Sequence, residues 1–167
     1  MKKIIMLVVG TIIFTLGFIY FIDKLIYSGV YWVTGTTVKA VLDSNGNIVI
    51  NEEEISDQST YITYDYEGAT IGLIAFRTNK DKIIVVINAS KSCKEAPNAI
   101  YIQRNNEFVC QNCNRSFNIN DIEKHIDNEC GLTSIKDKTN IDGKIIIGTK
   151  ELQELKDRFI NWKGPKE

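Results

Sequence analysis

Four cysteines, Cys93, Cys110, Cys113 and Cys130, follow the spacing C-x16-C-x2-C-x16-C, and they constrain this 167-residue chain more than any other feature. If one centre takes all four sulfurs, the fold must bring a close pair and two distant single residues to one point. Four thiolates can close a tetrahedral shell around zinc or hold an iron–sulfur cluster. A C-x2-C pair can turn back so that both sulfurs reach one metal. The outer cysteines are single, so the pattern departs from the paired C-x2-C of a zinc ribbon. Two disulfide bridges are a second way to use the same four residues in an oxidising compartment. A thiol–disulfide role for Cys110 and Cys113 is a third, but that chemistry favours a cysteine at a helix N-terminus, and here the pair follows a strand. Haem attachment of the C-x-x-C-H form is excluded, because Asn114 follows Cys113. His125 is the only histidine, so an ordinary Rieske centre with two histidine ligands is excluded as well. His125, beside Asp127 and Glu129, is expected at the surface.

Residues 4–22 contain no charge, follow Lys2 and Lys3, and end at Asp23 and Lys24. As a helix they would reach across a hydrocarbon core of roughly 30 Å. No A-x-A-like cleavage site follows, since Ile26-Tyr27-Ser28 is a poor match. The run predicts an uncleaved single-pass anchor contacting membrane lipid. Lys2, Lys3 and the terminal amine outnumber Lys24, which predicts a cytoplasmic N-terminus and an extracytoplasmic domain. The charges nearly cancel, with 20 Lys and Arg against 21 Asp and Glu, so no basic surface points to nucleic acid.

Beyond the anchor the pattern is strand-like. Residues 37–50, TVKAVLDSNGNIVI, read as a hairpin around Asn45-Gly46. Residues 60–68 alternate as a half-buried strand, and 70–78 and 82–90 follow as two more, with the apolar Ile83–Ile87 expected at a sheet centre. A further hairpin turns at Asn105-Asn106 and delivers Cys110 to its end. Residues 45–55 resemble 142–152, each a tight turn, a β run and a polar stretch, which predicts two related units lying side by side. Asn51 with Glu54 fits a capping box. In the later copy Leu152, Leu155, Phe159 and Trp162 fall at helical spacing. Tyr101, Phe108 and Phe117 are expected in the core, where they would shield a metal centre.

Several stretches together resemble a bacterial family. Asn88-Ala89 with Cys93, then Val109, Cys110, Cys113, Phe117, Ile119 and Ile122, then Cys130 match the motifs of the FtrD-like membrane iron–sulfur-containing proteins over roughly residues 38–160. The resemblance implies an iron–sulfur or related metal centre on a membrane-attached protein, with electron transfer linked to iron or metal transport. It also implies membrane redox or transport partners. Ser90 stands where many members carry a further cysteine, so four thiols transfer to this chain.

The expected fold is mainly β (α+β): an N-terminal transmembrane helix, then a small β-sheet or barrel-like domain with a four-cysteine metal subsite and a C-terminal helix. The expected boundaries are an anchor over 1–28, a linker over 29–37 and a metal-binding domain over 38–163. Cys93, Cys110, Cys113 and Cys130 are the expected ligands of an iron–sulfur cluster, with zinc as the alternative metal. The leading function is that of an electron carrier or binding protein rather than an enzyme. The rivals are a structural zinc domain, a disulfide-stapled interaction module and a thiol–disulfide oxidoreductase.

Overall fold

The computed structural model describes Thr15, Gly17 and Phe18, which are helical, and residues 35–93, 96–128 and 130–164. The chain divides into two units, Met1–Trp32 and Val33–Glu167. The described residues of the second unit form twelve strands: β1 (Thr36–Lys39), β2 (Val41–Leu42), β3 (Ile48–Asn51), β4 (Thr60–Tyr66), β5 (Ala69–Arg77), β6 (Ile83–Ile87), β7 (Tyr101–Arg104), β8 (Glu107–Cys110), β9 (Ser116–Asn118), β10 (Thr133–Ser134), β11 (Lys138–Ile141) and β12 (Lys144–Ile147). They form three sheets, ordered β1-β4-β5-β6-β10, β11-β12-β3-β2 and β7-β8-β9.

The five-stranded sheet is buried on both faces. On β5 and β6, Ile71, Leu73, Ala75, Val85 and Ile87 enter one core with Ile48, Ile50, Ile145, Ile147, Leu152 and Phe159. Their neighbours Ile74, Phe76, Ile84 and Val86 enter a second core with Tyr101, Phe108, Cys110, Phe117 and Leu132. A strand buried on both faces has no polar side to show, which is why residues 71–76 of β5 and 83–87 of β6 carry no polar side chain. β7-β8-β9 covers the face that holds the cysteines.

The run over residues 36–42 does not make one hairpin arm. β1 pairs in parallel with β4, Thr36 opposite Thr60, while β2 pairs antiparallel with β3, Val41 opposite Val49. Ala40, whose N–H donates to Thr63 O at 2.8 Å, is where the chain changes sheets. The Asn45-Gly46 turn forms as expected. The Asp43 carboxylate accepts the N–H groups of Asn45 and Asn47, and Gly46 takes φ 80°, which a side chain would disfavour. The two similar segments are indeed neighbours: β3 and β12 pair antiparallel, Ile48 opposite Ile147 and Ile50 opposite Ile145. Ile48 corresponds in the repeat to Ile145 and Ile50 to Ile147, so the pairing has a local two-fold character.

Four expectations need correction. The single small sheet or barrel is instead three sheets. A barrel needs its two edges paired, and here the edges of the largest sheet are β1 and the two-residue β10. The expected N-terminal transmembrane helix has no support: no helix among the described residues is long and apolar enough to cross a membrane. The run 4–22 on which it was expected lies outside the described residues, apart from Thr15, Gly17 and Phe18. The C-terminal helix is short. α1 spans Thr149–Glu154, and a tight 3-10 turn over Lys156–Phe159 follows, because Leu155 leaves the helical region at φ −92°, ψ 3°. The apolar spacing still serves, since Leu152 and Phe159 are buried and Trp162 lies over Gly72, where an added Cβ would come within 2.3 Å of the indole. The capping box does not form: the Asn51 side chain makes no cap and instead donates to Glu54 Oε1 at 2.7 Å.

Candidate metal centre

The hairpin β7–β8 carries the middle of the site. Its register sets Tyr101 opposite Cys110 and Arg104 opposite Glu107, and Asn105 turns the chain at φ 52°. Asparagine accepts the left-handed region better than most residues. After Cys110 the chain doubles back. Asn114 takes φ 57°, its N–H reaches Cys110 O at 2.9 Å, and Cys110 N–H donates to Arg115 O at 2.9 Å. This turn holds Cys113 beside Cys110 and aims the backbone N–H groups of Asn112 and Cys113 at the Cys110 sulfur.

Cys93 arrives from the other side, on the loop after β6. That loop is pinned to the hairpin: Asn88 Oδ1 accepts the Tyr101 N–H at 2.7 Å, and Ser90 N–H donates to Ala99 O at 3.1 Å. The result is a triad. The sulfurs of Cys93, Cys110 and Cys113 all lie within 4.8 Å of one another, with Cys93 and Cys110 3.8 Å apart. Cys110 is buried, Cys93 half-buried and Cys113 exposed, so the group sits at the edge of the second core. All four cysteines are free thiols.

Cys130 lies close by but outside the triad. Its sulfur donates to Ser92 Oγ at 3.2 Å, next to Cys93, and its carbonyl accepts the Tyr101 hydroxyl. Its loop turns at Asp127, φ 65°, and passes so close to His125 O that a Cβ on Gly131 would overlap it. His125 is half-buried, its ring 4.7 Å from that of Phe117. Tyr101, Phe108 and Phe117 are core residues, as expected.

The electrostatics are those of thiols sharing protons. Burial pushes the Cys110 thiol up to about 12, against the N–H groups of Cys113 and Asn112, which favour its thiolate. Burial also acts to raise Cys93, but hydrogen bonding from Asn112, Ser90, Cys113 and Cys110 outweighs it and holds Cys93 below the ordinary thiol range. Burial keeps the Tyr101 phenol protonated; the Ser90 hydroxyl opposes this, and the nearby charges of Cys110, Cys113 and Cys130 reinforce it. Ser90 is 0% exposed, and its Oγ lies beside Cys93 and Tyr101 with no other partner within the protein. Three soft sulfur donors brought together at the edge of a core, with a buried hydroxyl beside them, fit a site that takes a further group.

A family model matches residues 55–159, and its description is membrane iron-sulfur containing protein FtrD-like. The chain belongs to the FtrD-like family. No curated protein and no solved structure matches it. The FtrD-like family name indicates an iron–sulfur group at a membrane, and the triad of this FtrD-like chain can bind a metal through three thiolates. Four residues have roles at the site that the sequence did not show. Asn112 and Asn114 shape the C-x-x-C turn, Ser92 meets Cys130, and Asn88 ties the Cys93 loop to β7. Two of them stood out in the sequence, Asn88 in the family motif and Asn114 directly after the C-x-x-C pair.

Proposed function

We propose that this domain is an electron carrier at the membrane, built around a thiolate-held iron–sulfur-type centre and serving iron or metal transport. The observation that carries this reading is the convergence of Cys93, Cys110 and Cys113 at the buried end of one hairpin. In the same reading Cys130 supplies the fourth thiolate, by exchanging its bond to Ser92 Oγ for the metal. The bound group supplies a reversible one-electron couple.

The protein's part is to set that couple. The N–H groups of Asn112 and Cys113 stabilise negative charge on the Cys110 sulfur, and the Ser90 hydroxyl does so for Cys93. Such donors, with burial, are what tune metal–thiolate potentials. Tyr101, Phe108 and Phe117 keep water from the inner side, while exposed Cys113 faces outward, where a redox partner can approach. The near-neutral net charge of −1 argues against a nucleic-acid partner.

The test is a redox titration of the full chain, purified without oxygen and reconstituted with iron. A reversible one-electron transition that disappears in Cys110→Ser supports the reading. A colourless protein that retains zinc and shows no transition refutes it.

A further inference from the structure

We infer that Cys93, Cys110 and Cys113 bind one metal ion directly, with Cys130 as the fourth ligand, rather than spanning a sulfide-bridged cluster. The inference rests on the thiolate-centre reading above and adds to it the number of metal atoms. With metal–thiolate bonds of about 2.3 Å, the corners of a tetrahedral site lie about 3.8 Å apart. Cys93 Sγ and Cys110 Sγ are 3.8 Å apart. That separation is also ordinary sulfur contact, so the pair alone decides nothing. The third sulfur decides, because Cys113 lies within 4.8 Å of both.

Cluster chemistry distributes four cysteines differently. Spread over a [2Fe–2S] core they supply two thiolates to each iron, and over a [4Fe–4S] core one. Either way, three terminal sulfurs never share one iron, and at least one of them is held out by the bridging sulfides. Three sulfurs that all lie within 4.8 Å of one another are too closely set for such bridges between them. A single ion needs none.

The local backbone agrees. The turn through Asn114 brings the N–H groups of Asn112 and Cys113 onto the Cys110 sulfur while placing the Cys113 sulfur on the same side. Cys110 and Cys113 are thereby fixed as two corners. The Asn88–Tyr101 bond and the Ser90–Ala99 bond set the loop that brings Cys93 in as the third. Cys130, held by Ser92 beside Cys93, is placed to close the fourth.

The experiment loads the full chain, anaerobically and in detergent, with ferrous iron alone, with ferrous iron plus sulfide, and with cobalt(II). Iron and acid-labile sulfide per chain are then measured. The expected result is one iron per chain in both iron samples with no bound sulfide, and one cobalt with the visible bands of tetrahedral thiolate ligation. Two or four irons per chain with matching sulfide overturn the single-ion inference and leave the thiolate centre standing. No metal uptake from any sample overturns both. Cys113→Ser serves as the control: its side chain is exposed, so the variant folds, and the expected result is loss of the cobalt bands. Unchanged bands in that variant overturn the assignment of Cys113 as a corner.

Discussion

Replacing Gln103 with leucine tests the support of the β7–β8 hairpin without touching its cysteines. Gln103 sits on β7, is 5% exposed, and ties the hairpin to the loop before β4. Its Oε1 accepts from Ser59 N–H at 2.6 Å and from Ser59 Oγ at 2.7 Å, and its Nε2 donates to Asp57 O and Asn105 O at 3.0 and 3.1 Å. Asp57 and Asn105 are exposed, so water replaces the glutamine there. Ser59 is 1% exposed, so both of its donors lose their acceptor inside the protein. A buried donor left unpaired costs about 1–3 kcal/mol, and two of them about 2–6 kcal/mol. For a domain of this size that lowers Tm by at least about 6 °C. The assay is thermal unfolding of the full chain followed by circular dichroism, with Ser59→Ala as the second mutation. In the Gln103→Leu background Ser59→Ala removes one orphaned donor, so the double variant is more stable than Gln103→Leu alone. A Tm fall under about 2 °C, or a double variant less stable than Gln103→Leu by the full cost of Ser59→Ala, would refute the reasoning.

The other predictions concern the thiols and their loops. Cys110→Ser removes the one buried ligand and releases the metal, seen as loss of bound iron on gel filtration; retained stoichiometric iron contradicts this. Ser90→Ala takes away the hydroxyl facing Cys93 and shifts the midpoint potential downward while iron content stays constant; an unmoved potential means the hydroxyl does not act on the thiolate. Gly131→Ala forces apart a backbone that has no space for a Cβ and costs about 1–3 kcal/mol, measured by urea unfolding; a wild-type midpoint counts against it. Asp127 accepts from Ser134 Oγ at 2.5 Å and from Ser134 N–H at 3.1 Å, and with burial opposing, these bonds lower its carboxyl from 3.8. A lowered folded pKa gives stability that is present above the ordinary carboxylate range and is lost as pH falls through the folded value. The Tm gap between wild type and Asp127→Asn therefore shrinks from about pH 7 to about pH 3; a constant gap assigns the effect to packing.

Local signals in the sequence were the ones that could be read. Asn45-Gly46 and Asn105-Asn106 mark turns through their own backbone preferences, and both hairpins form. Ile83–Ile87 had to be central because no residue in it tolerates water, and it pairs with β5 and β10 on its two sides. Decisions that depend on distant partners were hidden. Whether Val38 and Val41 belong to one strand is settled by Thr63 and Val49, which take the two halves into different sheets. Helical spacing of Leu152, Leu155 and Phe159 reports which face is buried, and it does so for a short helix followed by a tight turn as well as for a long helix. At the site, the C-x2-C spacing showed that Cys110 and Cys113 can meet. That Cys93 joins them while Cys130 stands one hydrogen bond off follows from Asn88, Ser90 and Ser92, whose partners lie on other elements.

The pairing of β3 with β12 also governs the order in which the domain can assemble. Ile48 and Ile147 are partners separated by about a hundred residues, and closing so long a loop costs entropy before any contact offsets it. During synthesis that ladder must wait until nearly the whole chain has emerged. The β7–β8 hairpin and the turn that joins Cys110 to Cys113 need only their own few residues, so they form early, when the chain is still open. The cysteine site thus starts from a local hairpin, while the first core, on the other face of the five-stranded sheet, closes late through the two ends of the domain. A defect in β12 would delay that closure and weaken the first core without altering a single cysteine.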